Sequence, residues 1–269
     1  MTAGRLRRLL VGFTVTMLFA SVGCTPQRPA AVPETPPAGW PEALRDFTVA
    51  WTAEPGIPLT TGPVVVARAY VESYYLAHLT DDERYLYPGF AQSVDANNPD
   101  GPAGAEELWP LRDPRPRAWV GTFRQHILRV EQSDQNVTIY GCLYTYDSGV
   151  LVGDKFRAAT EGGEYGGINA FRVQLKAPAE DEALPAQEGP SRAPFTNVFG
   201  DWRVTNHQGG YVLTAEWPDR GKDIEQCRTQ APTLPGSRQF FPARTYERSD
   251  FPVLPATPGW PAPAATATN

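Results

Sequence analysis

The chain is short of several residue types, and each shortage removes a class of function. Among 24 basic residues only Lys155, Lys176 and Lys222 are lysines, against 30 acidic residues, so the formal net charge is −6. Setting aside the three leader arginines, Arg5, Arg7 and Arg8, leaves a net charge of −9, which opposes the basic surface that nucleic acid requires. His78, His126 and His207 are the only histidines and lie far apart without metal-ligand spacing, so neither a metal site nor any other cofactor is expected. No G-x-S-x-G elbow occurs, which removes the common serine-hydrolase signature. The uncharged apolar run from Leu9 to Ala20 falls well short of the roughly 20 residues that span a bilayer.

That run does have the form of an export leader. Arg5, Arg7 and Arg8 supply the positive end, Leu9 to Ala20 the apolar middle, and Ser21 and Gly23 the small residues that favour cleavage. The stretch Ser21-Val22-Gly23-Cys24 resembles the bacterial lipobox, in which the cysteine is acylated and becomes the new N-terminus. The likeness departs where Ser21 stands in place of the usual leucine, and ordinary signal peptidase could cut the same bond. Residues 1–23 are thus expected to be a signal peptide and Cys24 the lipidation site. Residues 24–39, rich in Pro and Ala, read as a semi-extended tether. The resemblance implies a protein held at the cell membrane on its extracytoplasmic side.

Three cysteines are an odd number for an exported chain. With Cys24 acylated, Cys142 and Cys227 remain as one pair in a compartment where disulfides persist; two buried thiols are the alternative.

Residues 40–62 form a short apolar segment, carrying Leu44, Phe47, Val49, Trp51 and Ile57, that is expected to pack on a domain covering 63–230. A helix is predicted from Pro63, with Val64, Ala67, Val71, Tyr74, Tyr75 and His78 on one face and Arg68 and Glu72 on the other. Thr80 and Glu83 form the pattern that opens a second helix, cut short by Pro88-Gly89. Prolines and glycines exclude regular structure over most of 97–117, and its near miss to a calcium loop at 96–107 lacks the first ligand.

Strands at 118–131 and 136–146 read as a hairpin, with Val137, Ile139 and Leu143 on one face and Tyr140, Cys142, Tyr144 and Tyr146 on the other. A third strand is expected at 168–176, and short ones at 200–205 and 211–217. The glycines of 162–167 read as a flexible hairpin connection, and the sequon at Asn136 as incidental. Cys227 falls in a charged, loop-like stretch. Residues 231–269 are a Pro-rich extension, expected to be disordered from Pro252 onward.

Helices followed by antiparallel strands define an α+β class, with N-terminal helices packed on a curved antiparallel sheet. This order, with an aromatic helix first and Gly-Asp-Trp-Arg-Val at 200–204, resembles the NTF2-like superfamily over 63–205. The likeness implies a cone whose mouth Tyr70, Tyr74, His126, Tyr140, Tyr144 and Trp202 could line. It allows two functions: a non-catalytic domain that binds a small apolar ligand or an envelope protein, or an enzyme of the isomerase or dehydratase type acting on a hydrophobic substrate. The enzyme would need a carboxylate base in the cavity. None can be mapped, because Glu131, Asp147 and Asp201 fall near strand ends where solvation is expected. The non-catalytic function is therefore the expectation.

Overall fold

In β2 (Trp119–Ser133) and β3 (Asn136–Tyr144) apolar residues alternate, and both faces of the alternation become buried. The pair closes through a two-residue turn in which Asp134 adopts a left-handed conformation (φ 54°), a geometry that aspartate tolerates. The computed structural model describes residues 39–94, 108–110, 116–160, 165–179, 184–209, 217–232 and 244–263. Cys24, the leader and nearly all of the tether, the calcium-like loop and 211–216 lie outside them.

The remaining strands are β1 (Phe47–Ala53), β4 (Ser148–Val152), β5 (Lys155–Ala158), β6 (Ile168–Lys176), β7 (Arg203–Gly209) and β8 (Thr245–Tyr246). They form one eight-stranded sheet in the order β7-β6-β3-β2-β4-β5-β8, antiparallel throughout except for β1, which runs parallel to β2. The helices are α1 (Pro63–Thr80), α2 (Phe90–Ser93) and α3 (Arg220–Thr229). The class is α+β.

Several expectations change. The segment at 40–62 does more than pack on the sheet: its Phe47–Ala53 stretch is β1, hydrogen-bonded along Gly121–Ile127 of β2. At Gly121 (φ 95°) the edge of β2 passes from β4 to β1, and a Cβ there would overlap the carbonyl oxygen of Asp147, so this crossing needs glycine. Thr80 opens no helix. Its hydroxyl donates back to the Leu76 carbonyl (2.6 Å) at the end of α1, and Asp82 instead caps a single 3-10 turn, accepting from the Arg84 amide. The β4–β5 hairpin went unpredicted, because its short strands lack clean alternation.

A bulge at Leu128 bends β2 and reverses its alternation. Phe123 and Ile127 face one core before it, and Val130 faces the same core after it. That core lies between α1 and the sheet, and includes Val137, Ile139, Leu143, Phe171 and Val173. The opposite face packs Leu128, Tyr140, Cys142, Tyr144 and Tyr146 against Trp217, Ile224 and Cys227. Cys227 thus sits in α3 rather than in a loop, bonded to Cys142 across a Cα separation of 5.5 Å.

The C-terminal segment is ordered where disorder was expected, at least through residue 263. Phe251 and Trp260 are buried, Trp51 N donates to the Thr257 carbonyl at 2.6 Å, and Ser191 and Trp260 exchange backbone hydrogen bonds. Its anchors are two large aromatic rings and the backbone pairing around them, which is how a proline-rich chain escapes the compositional expectation.

Candidate functional site

The six residues expected to line one pocket fall on two faces of the sheet. Tyr70 and Tyr74 belong to α1, and their rings pack at right angles to that of His207 (centroids 5.3 and 5.5 Å away), while Tyr70 stacks on Phe90 at 5.7 Å. Trp202 is partly buried at the margin of the same core. Tyr140 and Tyr144 belong to the opposite core, where Tyr144 donates to the Cys227 carbonyl at 3.0 Å. His126, opposite Cys142 in the ladder, shares the face of Tyr144. Tyr70 and Tyr74 touch each other, with ring centroids 6.0 Å apart, and pack as core side chains.

His207 was not among the expected site residues. Its Nδ1 lies 3.3 Å from the Tyr70 hydroxyl, which donates to the Leu108 carbonyl, and burial among these rings lowers its pKa to about 4 from an ordinary 6.5. A histidine kept neutral in this way stabilises the fold fully above pH 6.5, and the stabilisation is lost as pH falls through 4. Between those values unfolding free energy is expected to drop by about 2 kcal/mol, a figure discounted for the ring's partial exposure. Urea titrations at pH 7 and pH 4.5 measure it, and His207→Gln should flatten that part of the profile.

The largest departure from the sequence reading lies on α1. Arg68 and Glu72, expected on an outer face, are 0% and 3% exposed. Glu72 accepts from Nε1 of Trp51 (2.7 Å), Nε1 of Trp260 (2.7 Å) and the Tyr87 hydroxyl (2.9 Å). Arg68 donates to the carbonyls of Leu59 (2.7 Å), Gln187 (3.2 Å), Pro258 (2.5 Å) and Gly259 (3.3 Å), and lies 4.5 Å over the Trp260 ring. Burial pushes the Glu72 carboxyl above the usual range, while the Arg68 charge and the three donors oppose that shift. Although Glu72 is a carboxylate among aromatic rings, three of the chain's own donors occupy its oxygens, so the cluster works as a clamp on the C-terminal segment. The signal for it was the composition of α1: Val64 to Glu72 is apolar on every side of Arg68, with no run of polar residues to form a solvated stripe, and in the fold 14 of the 18 residues are buried.

Across the sheet, a cleft of about 120 Å³ is lined by Ala50 and Thr52 of β1, Arg124, Gln125 and His126 of β2, and Tyr144 of β3. Its walls are completed by Gln230 and Pro232, which follow α3, and by Leu254 of the C-terminal segment. The volume is below the roughly 300 Å³ of a drug-sized pocket and equals about four waters. Thr52 Oγ1 lies 2.8 Å from His126 Nδ1, and His126 Nε2 lies 3.6 Å from Glu54 at the rim. The Glu54 carboxyl is held below its usual range, first by a hydrogen bond from Gln230 and then by His126.

Behind the cleft Asp147, expected to be solvated, is fully buried and pairs with Nε of Arg124 at 2.5 Å. Burial raises the Asp147 carboxyl, and Arg124 opposes this. Arg124 Nε, His126 Nε2 and both Asp147 oxygens are buried without a well-aligned hydrogen bond among the described residues.

Glu131 and Asp201 do lie near solvent, and Glu131 pairs with Arg129 at 2.8 Å. Among the described residues no group of three or more His, Cys, Asp or Glu side chains is placed to hold a metal, and no helix is long and apolar enough to cross a membrane. The chain matches no family model, no curated protein and no solved structure.

Proposed function

We propose that the protein is an extracytoplasmic lipoprotein, anchored in the cell membrane through Cys24 and carrying a non-catalytic domain that binds a small ligand or a partner in the envelope. The observation that carries this reading is the Cys142–Cys227 disulfide. A bridge of this kind belongs to an oxidising, exported compartment, and it leaves Cys24 as the one cysteine outside the pair. Three further features support it. The leader is ordered as export requires, the tether separates the anchor from the fold, and the acidic balance suits a protein that does not bind nucleic acid. The placement of α1 across the sheet is the basis for reading the domain as an NTF2-like cone.

The binding role rests on the division of polar groups. The carboxylate best shielded by aromatic rings, Glu72, is held by internal donors, whereas the cleft over β1 and β2 presents polar groups beside apolar walls.

Metabolic labelling with an alkyne fatty acid tests the anchor. The wild-type chain is expected to carry label and partition into membranes, and Cys24→Ser to lose both. A Cys24→Ser protein still labelled and still sedimenting with membranes would overturn the reading.

A further inference from the structure

We propose that the cleft over β1 and β2 is a binding site for a carboxylate on a short apolar stem, with Arg124 as its principal ligand. The inference deepens the binding function proposed above and rests on it.

The guanidinium of Arg124 has five donors in a rigid plane. Its Nε lies 2.5 Å from an oxygen of the fully buried Asp147, an ion pair that holds the guanidinium at this place without an aligned hydrogen bond. Its Nη1 and Nη2 groups make no hydrogen bond among the described residues, although the Arg124 side chain is only 21% exposed and lines the cleft. Two parallel donors of this kind match the two oxygens of a carboxylate better than any other common group.

Both nearby acidic groups are already engaged. Asp147 sits behind the guanidinium, and Glu54 lies at the rim, 30% exposed and bound by Gln230, where solvent screens its charge. The charged group left open in the cleft is therefore the Arg124 donor pair, beside Gln125 Oε1 and His126 Nε2, which have no hydrogen-bond partner among the described residues, and an occupant that meets the guanidinium must accept from it.

The walls decide the rest of the ligand. The Ala50 methyl group, the Tyr144 ring, Pro232 and Leu254 offer apolar contact. A volume of about 120 Å³ admits roughly six non-hydrogen atoms. Such a group could come from a free short-chain carboxylic acid or from the carboxyl end of a partner polypeptide, since the recognised chemistry is the same.

Saturation-transfer NMR of the full chain with butanoate is the direct test, with butanamide and butylammonium as controls. Peptides ending in a free or an amidated leucine form the second arm. Butanoate is expected to bind, the two controls about tenfold more weakly or not at all, and Arg124→Lys, which keeps the charge against Asp147 but loses the fork, to weaken binding about tenfold or more.

Because altering Arg124 disturbs a buried ion pair, Ala50→Leu provides a second variant: it fills the cleft, leaves that pair intact and should also remove binding. If butanoate binds, the source is a free acid; if only the free-ended peptide binds, the source is a partner chain, and the site stands in either case. Absence of binding by both carboxylates, stronger binding of butylammonium, or binding unchanged in both variants would overturn the proposal. Conversion of bound butanoate to a new species would instead overturn the non-catalytic function while leaving the site in place, and Cys24 labelling is independent of every outcome here.

Discussion

Arg68→Met is expected to destabilise the protein by about 3–5 kcal/mol and to free the C-terminal segment before the rest of the fold. Methionine fills much of the same volume, so the loss would come chiefly from charge and hydrogen bonding. Four carbonyls, including those of Pro258 and Gly259, lose their donor, and Glu72 is left as a buried carboxylate without its compensating charge.

The partner experiment separates the components. Trp260→Phe retains a large ring but removes one of the three donors to Glu72, and should cost about 1–3 kcal/mol. Urea unfolding gives the free energies, and hydrogen exchange of 251–260 reports the segment. If Arg68→Met were as stable as wild type, or if exchange in 251–260 stayed as slow as in β3, the clamp assigned to this pair would not exist.

Replacing Cys142 and Cys227 together with alanine is expected to cost about 4.5 kcal/mol on the chain-entropy model, within a usual range of about 2–5 kcal/mol, because the bridge closes a separation of 85 residues. The loss should concentrate in α3. That helix is short and charged, and among its own residues buries only Asp223, Ile224 and Cys227. Without the bridge it keeps the Arg129–Asp223 ion pair, the Trp217–Asp223 hydrogen bond (2.9 Å) and the Tyr144–Cys227 hydrogen bond. Amides of 220–229 should therefore exchange fastest, with α1 nearly unchanged. Equal acceleration in α1 and α3 would show that the bridge supports the whole domain rather than its outer layer.

Local pattern was enough for the elements that have one packed face each or strict alternation. The limits of β6 and the opposite facing of Ile139 and Tyr140 in β3 follow from residues two apart, which only a strand can sort onto separate faces. Cys142 and Cys227 are the two cysteines left once Cys24 is set aside, and the structure bonds them to each other.

Pattern misled wherever a second layer covered what would otherwise face water. The Arg68–Glu72 spacing on α1 is that of a solvated helix face, Asp147 stands at a strand end, and residues 251–263 have the composition of a loose tail. All three are packed because distant chain covers them: Trp260 reaches Glu72 from 188 positions away, and Thr122 accepts from the Leu254 amide across 132. The six residues grouped as one pocket divide between two faces for a related reason, and of them His126 and Tyr144 line the observed cleft. Alternation assigns residues to faces of their own strand but cannot say which layer each face meets, and so Tyr70 and Tyr144 were joined although a sheet lies between their cores.

By itself the sequence determined the acidic character and the α+β class and narrowed the cysteines to a candidate pair, because each depends on composition or on contacts within a few residues. Only the tertiary structure decided that the charges of α1 are internal, that the C-terminal segment is part of the fold, and that Arg124 meets a cleft with two donors unspent. Those outcomes depend on which remote segment covers each face, and no periodicity within a segment encodes the identity of its cover.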